Sequence, residues 1–339
     1  MQPFVYERVS AAQEAIAATV AREDESLRLG SIQYLAGGTS LLDLMKLDVV
    51  RPSKIVDINA LGAGSMGRIE TNPKGIRLGA LVRMAEAAEH PHILRNYPVI
   101  AQSLRLAASQ QVRNMASLAG NVLQRTRCSY FRDVSYPSCN KRKPGSGCSA
   151  MNGFNRLHAV LGVSRHCIAT YAGDFAQALI ALDATVEVLG PHRLRTIPIA
   201  ALHCRPDTSP DVETTLEPGE LIVSFFIPAA PWTRRSLYLK VRDRESFAFA
   251  LISVAVALDL RKGRVRHARI ALGGVATVPW RARDAEAIVE GKALSASTVK
   301  AATAAAFAGA RRHEWNAFKI ALGQRTLIRA LTQAAKMKI

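Results

Sequence analysis

Tyr34-Leu35-Ala36-Gly37-Gly38-Thr39-Ser40-Leu41-Leu42-Asp43-Leu44 is the stretch on which the reading of the fold turns. Residues 33–36 are mostly apolar and read as a strand, residues 41–46 read as a helix, and paired glycines with two hydroxyl residues join them. Without side chains, Gly37 and Gly38 let backbone N–H groups approach an anion. Thr39 and Ser40 can cap the helix or donate to phosphate. A dinucleotide pyrophosphate would sit well in such a loop, but a plain capped strand–turn–helix connection uses the same residues. The glycines do not follow the G-x-G-x-x-G spacing of a Rossmann fingerprint.

Working outward, an amphipathic run over residues 11–22 precedes this stretch, and a second apolar strand over 54–58 follows Pro52, which makes residues 1–60 a small βαβ-type unit. From 61 to 228, short strands at 75–79 and 185–189 alternate with helices at 84–89 and 99–109, as in a second α+β unit. The Pro-rich residues 227–232 mark a boundary. Beyond it, over residues 229–339, strand signals at 236–241, 249–260 and 266–273 and an alanine-rich helical run at 295–337 predict an antiparallel sheet plus helices. The fold class is α+β.

Hydrophobic residues make up 49% of the 339-residue chain, which excludes disordered and collagen-like classes. The longest apolar stretches, such as residues 248–260, fall short of the roughly 20 residues that span a bilayer, so no membrane span is expected. Residues 1–20 carry no basic patch followed by an apolar run. The formal charge of +18 raises nucleic acid as a partner, yet no helix-turn-helix spacing, ribonucleoprotein motif or zinc-finger pairing accompanies it. An acidic protein partner explains the charge equally well. No catalytic triad or H-E-x-x-H site is present, and His90, His92, His158 and His166 read as surface or packing residues.

A second loop, Gln111-Val112-Arg113-Asn114-Met115-Ala116-Ser117-Leu118-Ala119-Gly120-Asn121, again combines small residues with a polar side chain and reads either as a ligand contact or as a tight turn. After it, residues 125–167 lose all periodicity and hold Cys128, Cys139, Cys148 and Cys167, with Cys204 apart. Gaps of ten, eight and eighteen residues match neither a ferredoxin run nor a zinc ribbon. A segment this rich in Arg, Lys, Ser, Pro and Gly buries too little apolar surface to offset its ordering, so a metal centre on four thiolates would supply an anchor. Arg125, Arg127, Lys141, Arg142 and Lys143 would favour the thiolates. The alternatives are free thiols on a solvated basic loop, or a four-cysteine zinc module in a nucleic-acid-binding protein.

Taken with Asp174 ahead of Ala178-Leu179-Ile180-Ala181-Leu182-Asp183-Ala184, with Tyr238-Leu239-Lys240-Val241-Arg242-Asp243-Arg244, and with Arg269-Ile270-Ala271-Leu272-Gly273-Gly274-Val275-Ala276, the two loops resemble the flavin-binding medium subunit of the xanthine dehydrogenase, or molybdenum hydroxylase, family over nearly the whole chain. The cysteine-bearing insertion and Phe4-Val5-Tyr6-Glu7-Arg8 point, within it, to the FAD subunits of bacterial periplasmic aldehyde oxidoreductases. The resemblance implies a two-part FAD-binding domain followed by an antiparallel sheet plus helices. It places the FAD pyrophosphate against Leu35, Ala36, Gly37, Gly38, Thr39, Ser40, Leu41 and Leu42, and the flavin and ribityl side against Ser117, Gly120 and Asn121, with Gln124, Asp174 and Lys240 nearby. Ala119 stands where the pattern has a glycine, and Gln124 where a small hydroxyl residue is frequent. Cys128, Cys139, Cys148 and Cys167 are then expected to ligate one 4Fe-4S cluster in the insertion. Partner subunits would carry the molybdenum cofactor and 2Fe-2S clusters, electrons would leave to an external acceptor, and localisation would be periplasmic on a partner's signal, or alternatively cytoplasmic.

Overall fold

The computed structural model describes residues 1–20 and 31–339. Strands β1 (Val5–Arg8), β2 (Ile32–Leu35) and β3 (Lys54–Asp57) form a parallel sheet in the order β1-β3-β2. Parallel neighbours need a crossover, and the helix Leu41–Lys46 supplies it between β2 and β3. The helix expected at 11–22 runs Ala12–Val20, and its last two expected residues lie outside the described residues. β3 is central, and Ile55 and Val56 are fully buried, as its apolar run requires.

The second sheet is antiparallel, with β4 (Ile69–Asn72), β5 (Gly75–Gly79), β6 (Thr185–Leu189), β7 (Leu194–Pro198) and β8 (Leu221–Pro228) in the order β4-β5-β8-β6-β7. Between β5 and β6 lie seven helices, from Met84–Glu89 to the wholly buried Phe175–Ala181. The first two sheets share one core, in which Val9, Ile16, Ile32 and Val56 join Ile76, Leu78, Phe175 and Phe225.

The third sheet, β9 (Ser236–Val241), β10 (Ile252–Arg261), β11 (Arg264–Gly273) and β12 (Trp280–Arg281), is antiparallel in the order β12-β11-β10-β9. The single helical run expected at 295–337 is two helices, Ala296–Ala306 and Phe318–Lys336. The break between them has a cause that periodicity cannot show. Trp315 N donates to Asn155 Oδ1 at 3.0 Å and Asn316 Nδ2 donates to the Ala159 carbonyl at 3.0 Å, so the interruption docks onto the cysteine-bearing segment. Among the described residues no helix is long and apolar enough to cross a membrane.

Candidate functional site

An open cavity of about 270 Å³ lies along the loop after β2. Its walls come from segments far apart in sequence: residues 36–41, then Ser117, Ala119 and Gly120 at the helix Leu118–Val122, then Leu221 and Ile222 of β8. A Cβ on Gly37 would stand 2.0 Å from the Met115 carbonyl oxygen, so only glycine lets the two loops meet. Gly38, at φ +71°, turns the chain from strand to helix in the left-handed region that glycine tolerates. Intrahelical bonding begins with Leu42 N donating to the Gly38 carbonyl at 3.0 Å, which leaves the loop amides ahead of it without helical partners. The Ser40 side chain makes no cap bond, whereas Ser117 accepts from Gly120 N at 3.2 Å and caps its helix.

Two polar residues hold the loops in this contact. Asn59 Nδ2 donates to the Ala36 carbonyl at 2.9 Å, and Arg83 donates to Asn59 Oδ1 at 3.0 Å and to the Met115 carbonyl at 2.6 Å. Met115 O is the atom against which Gly37 rests, so the Arg83 guanidinium fixes the wall of the cavity. Arg125 also lines the cavity, and its buried Nη2 has no hydrogen-bond partner in the protein.

Asp174 and Lys240 lie away from this cavity in a buried ion pair at 2.7 Å, their side chains 6% and 1% exposed. Tyr238 donates to the other Asp174 oxygen at 2.6 Å, and Lys240 Nζ donates to the Leu106 carbonyl at 3.0 Å. Burial, with Asp174 beside it, pushes the Tyr238 hydroxyl well above its ordinary pKa.

Residues 125–167 build a second, smaller cavity lined by Cys128, Cys139, Cys148 and Cys167. Cys139 and Cys148 face each other across an isolated antiparallel bridge. Backbone N–H groups of Tyr130 and Phe131 point at the Cys128 sulfur, and those of Ala150, Met151 and Ile168 point at that of Cys148. Ala169 N donates to Cys167 Sγ at 3.4 Å. Burial pushes the Cys128 thiol up to about 12, while the hydrogen bond between Cys148 and Cys167 lowers the thiol of Cys148 and raises that of Cys167. Among the described residues, no three or more His, Cys, Asp or Glu side chains are grouped so that they could hold a metal ion.

The segment also has protein anchors. Phe131 and Cys139 join Leu44, Met45, Val49, Val50 and Ile55 in one apolar cluster. Arg127 and Arg132 both pair with Asp43, at 2.7 and 2.8 Å. The bond from Arg132, with Arg127 beside it, holds the Asp43 carboxyl below the usual range. The expectation that these residues bury too little apolar surface to offset their ordering is therefore corrected: packing and ion pairs hold them against the helix Leu41–Lys46.

Residues 2–230 match the family model for the FAD binding domain in molybdopterin dehydrogenase, and residues 237–334 match the CO dehydrogenase flavoprotein C-terminal domain. The chain is an FAD-binding subunit of the molybdenum hydroxylase family. Among its relatives in that family, the aldehyde oxidoreductase FAD-binding subunit PaoB of Escherichia coli K12 is 44% identical, over 98% of this chain and 99% of the relative. The glyceraldehyde dehydrogenase medium chain of Sulfolobus acidocaldarius is 26% identical over 88% of this chain and 84% of that one. In solved structures the fold matches a carbon monoxide dehydrogenase chain from Hydrogenophaga pseudoflava at a TM-score of 0.74 and 26% identity, covering 98% of this chain and 97% of that chain.

The molybdenum hydroxylase assignment makes FAD the ligand of this chain, and the first cavity fits it: glycine backbone without Cβ atoms at the loop contact, and an unpartnered guanidinium nitrogen on the wall. Of the sequence-predicted cofactor residues, Ala36, Gly37, Gly38, Thr39, Ser40, Leu41, Ser117 and Gly120 line that cavity together. Leu35, Leu42, Asn121, Gln124, Asp174 and Lys240 are not on its walls. The Asn121 Oδ1 is buried without a partner, and Gln124 Nε2 donates to the Asn121 carbonyl at 2.9 Å. Sequence reasoning missed Arg125, Leu221 and Ile222 as walls, and Asn59 and Arg83 as braces. Arg125 carries a signal, as a basic residue four positions beyond the second loop, but in sequence it is indistinguishable from the other charges around the cysteines.

Proposed function

We propose that this chain is the electron-transfer subunit of a molybdenum-dependent aldehyde oxidoreductase, binding FAD at the glycine-loop cavity and one 4Fe-4S cluster on Cys128, Cys139, Cys148 and Cys167. Bound flavin supplies a carrier that exchanges electrons with iron–sulfur centres on one side and an external acceptor on the other. The chain's own residues would bind and orient it: the amides of residues 38–41, which have no helical partners, would be available to the pyrophosphate, and Arg125 would offer its unpartnered Nη2 to an acceptor on the cofactor. Aldehyde as the substrate class rests on the 44% likeness to PaoB, and oxidation itself takes place on a partner that holds the molybdenum cofactor, with 2Fe-2S centres also on a partner.

The observation that carries the cluster is convergence. Thiols separated by ten, eight and eighteen residues line one cavity, with backbone amides aimed at three of the sulfurs. Amides directed at sulfur stabilise thiolates and tune a cluster's potential. A four-iron cluster takes one thiolate at each corner; the four cysteines line one cavity, and Cys148 and Cys167, hydrogen-bonded to each other here, would part to receive it. The family match runs along nearly the whole chain and leaves the zinc and nucleic-acid alternative without support. Iron and acid-labile sulfide in the purified complex test this reading, after subtracting the 2Fe-2S content of the partners. Cys139→Ser should remove about four irons while flavin stays, and Cys204→Ser should remove none. A wild-type subunit without iron sinks the cluster and leaves the flavin assignment standing.

A further inference from the structure

The two cavities are joined by three charged side chains. Arg125 lines the flavin cavity, Lys141 lines the cysteine cavity, and Glu213 lies between them. Arg125 Nε donates to one Glu213 oxygen, and Lys141 Nζ donates to the other at 2.7 Å and to the Pro210 carbonyl at 2.9 Å. The Arg125 guanidinium also lies over the ring of Phe131, 4.6 Å from its centroid, and Phe131 is itself a wall of the cysteine cavity. The side chains of Arg125 and Lys141 are only 15% and 10% exposed, so solvent screens their charges poorly. Burial alone would push the Glu213 carboxyl up, yet Arg125 and Lys141 hold it down at about 2, and it remains ionised at neutral pH.

We propose that Arg125, Glu213 and Lys141 form a charge bridge that sets the reduction potentials of the flavin and of the cysteine-bound cluster together, a proposal that rests on the cluster reading above. One carboxylate lies between two cations, one lining each cavity, and offsets part of the charge of both. Without that carboxylate, each cation acts on its own cavity at full strength, and the more negative reduced form of each group is stabilised. Glu213 is on the walls of neither cavity and acts through the two cations; it is a positioning residue.

Redox titration of the assembled complex, with the cluster followed by electron paramagnetic resonance and the flavin by visible absorbance, tests the bridge. Glu213→Gln should raise both midpoints, and Glu213→Asp, which keeps the charge, should leave both near the wild-type values. If Glu213→Gln loses flavin or iron, Lys141→Gln reads the bridge from one end, and its cluster midpoint should fall. Wild-type contents of flavin and iron in Glu213→Gln with one midpoint or neither displaced would overturn the bridge alone. An unmoved cluster midpoint in Lys141→Gln does the same, whereas an iron-free wild type removes the cluster and the bridge with it.

Discussion

The flavin cavity is walled by backbone pressed between apolar layers, whereas residues 125–167 shape theirs with polar side chains bonded to backbone. At the first, Gly37 rests against Met115 O and the core of two sheets lies behind. At the second, buried Asn140 bonds to Gly147 N and to the His166 carbonyl, both at 2.9 Å, and buried Asn155 ties Ala150 to Trp315. The regular elements there amount to one short helix, Ser129–Arg132. The lesson is that close packing of backbone demands particular residues at particular loop positions, which leaves a local signature. Side-chain cross-links between distant segments leave none.

The largest expected effect is at the exit of the cysteine segment, where Asp174 is bolted to Lys240 and Tyr238. Lys240→Met leaves a buried carboxylate without its cation and should cost about 3–5 kcal/mol of stability, read as a lowered unfolding midpoint of the complex. A variant that keeps its stability but loses flavin would instead make Lys240 a flavin contact. At the cavity, Gly37→Ala forces the two loops apart by placing a methyl group on the Met115 carbonyl. It should cost about 1–3 kcal/mol as an overpacking change and release flavin, while the iron content stays at the wild-type level. Joint loss of flavin and iron would show that the regions do not stand separately. A smaller effect belongs to the joint between them, since Asp43 lies on the cavity's own helix and holds Arg127 and Arg132 of the cysteine segment. Asp43→Ala breaks partly exposed charged hydrogen bonds and should cost about 1–2 kcal/mol. Amide hydrogen exchange should quicken over residues 127–150 and remain unchanged in β8. Unaltered exchange in both would detach the cysteine segment from Asp43.

Much of the fold is legible from residue order alone. The strands Gly75–Gly79, Thr185–Leu189 and Ser236–Val241 and the helices Leu41–Lys46 and Met84–Glu89 fall where apolar periodicity places them, because burial on one face writes itself into the sequence at the period of the element. The glycine pair is legible for a similar reason, since a left-handed turn accepts few residue types, whereas the cap expected of Ser40 is not made there and is found at Ser117. What only the tertiary structure decided is which distant groups meet. That the second loop is two short helices, Gln110–Met115 and Leu118–Val122, and that Arg83 and Asn59 pin it to the first, follows from contacts between residues 23 or more positions apart. That Asp174 and Lys240 pair with each other, that Arg125 faces the cavity, and that the helical tail breaks at 307–317 to receive Asn155 are likewise long-range outcomes. Periodicity and loop chemistry are local properties, set by the backbone geometry of a few consecutive residues. The partner of a buried charge or an amide is chosen by the packing of sheets and helices that the chain brings together only when it has folded.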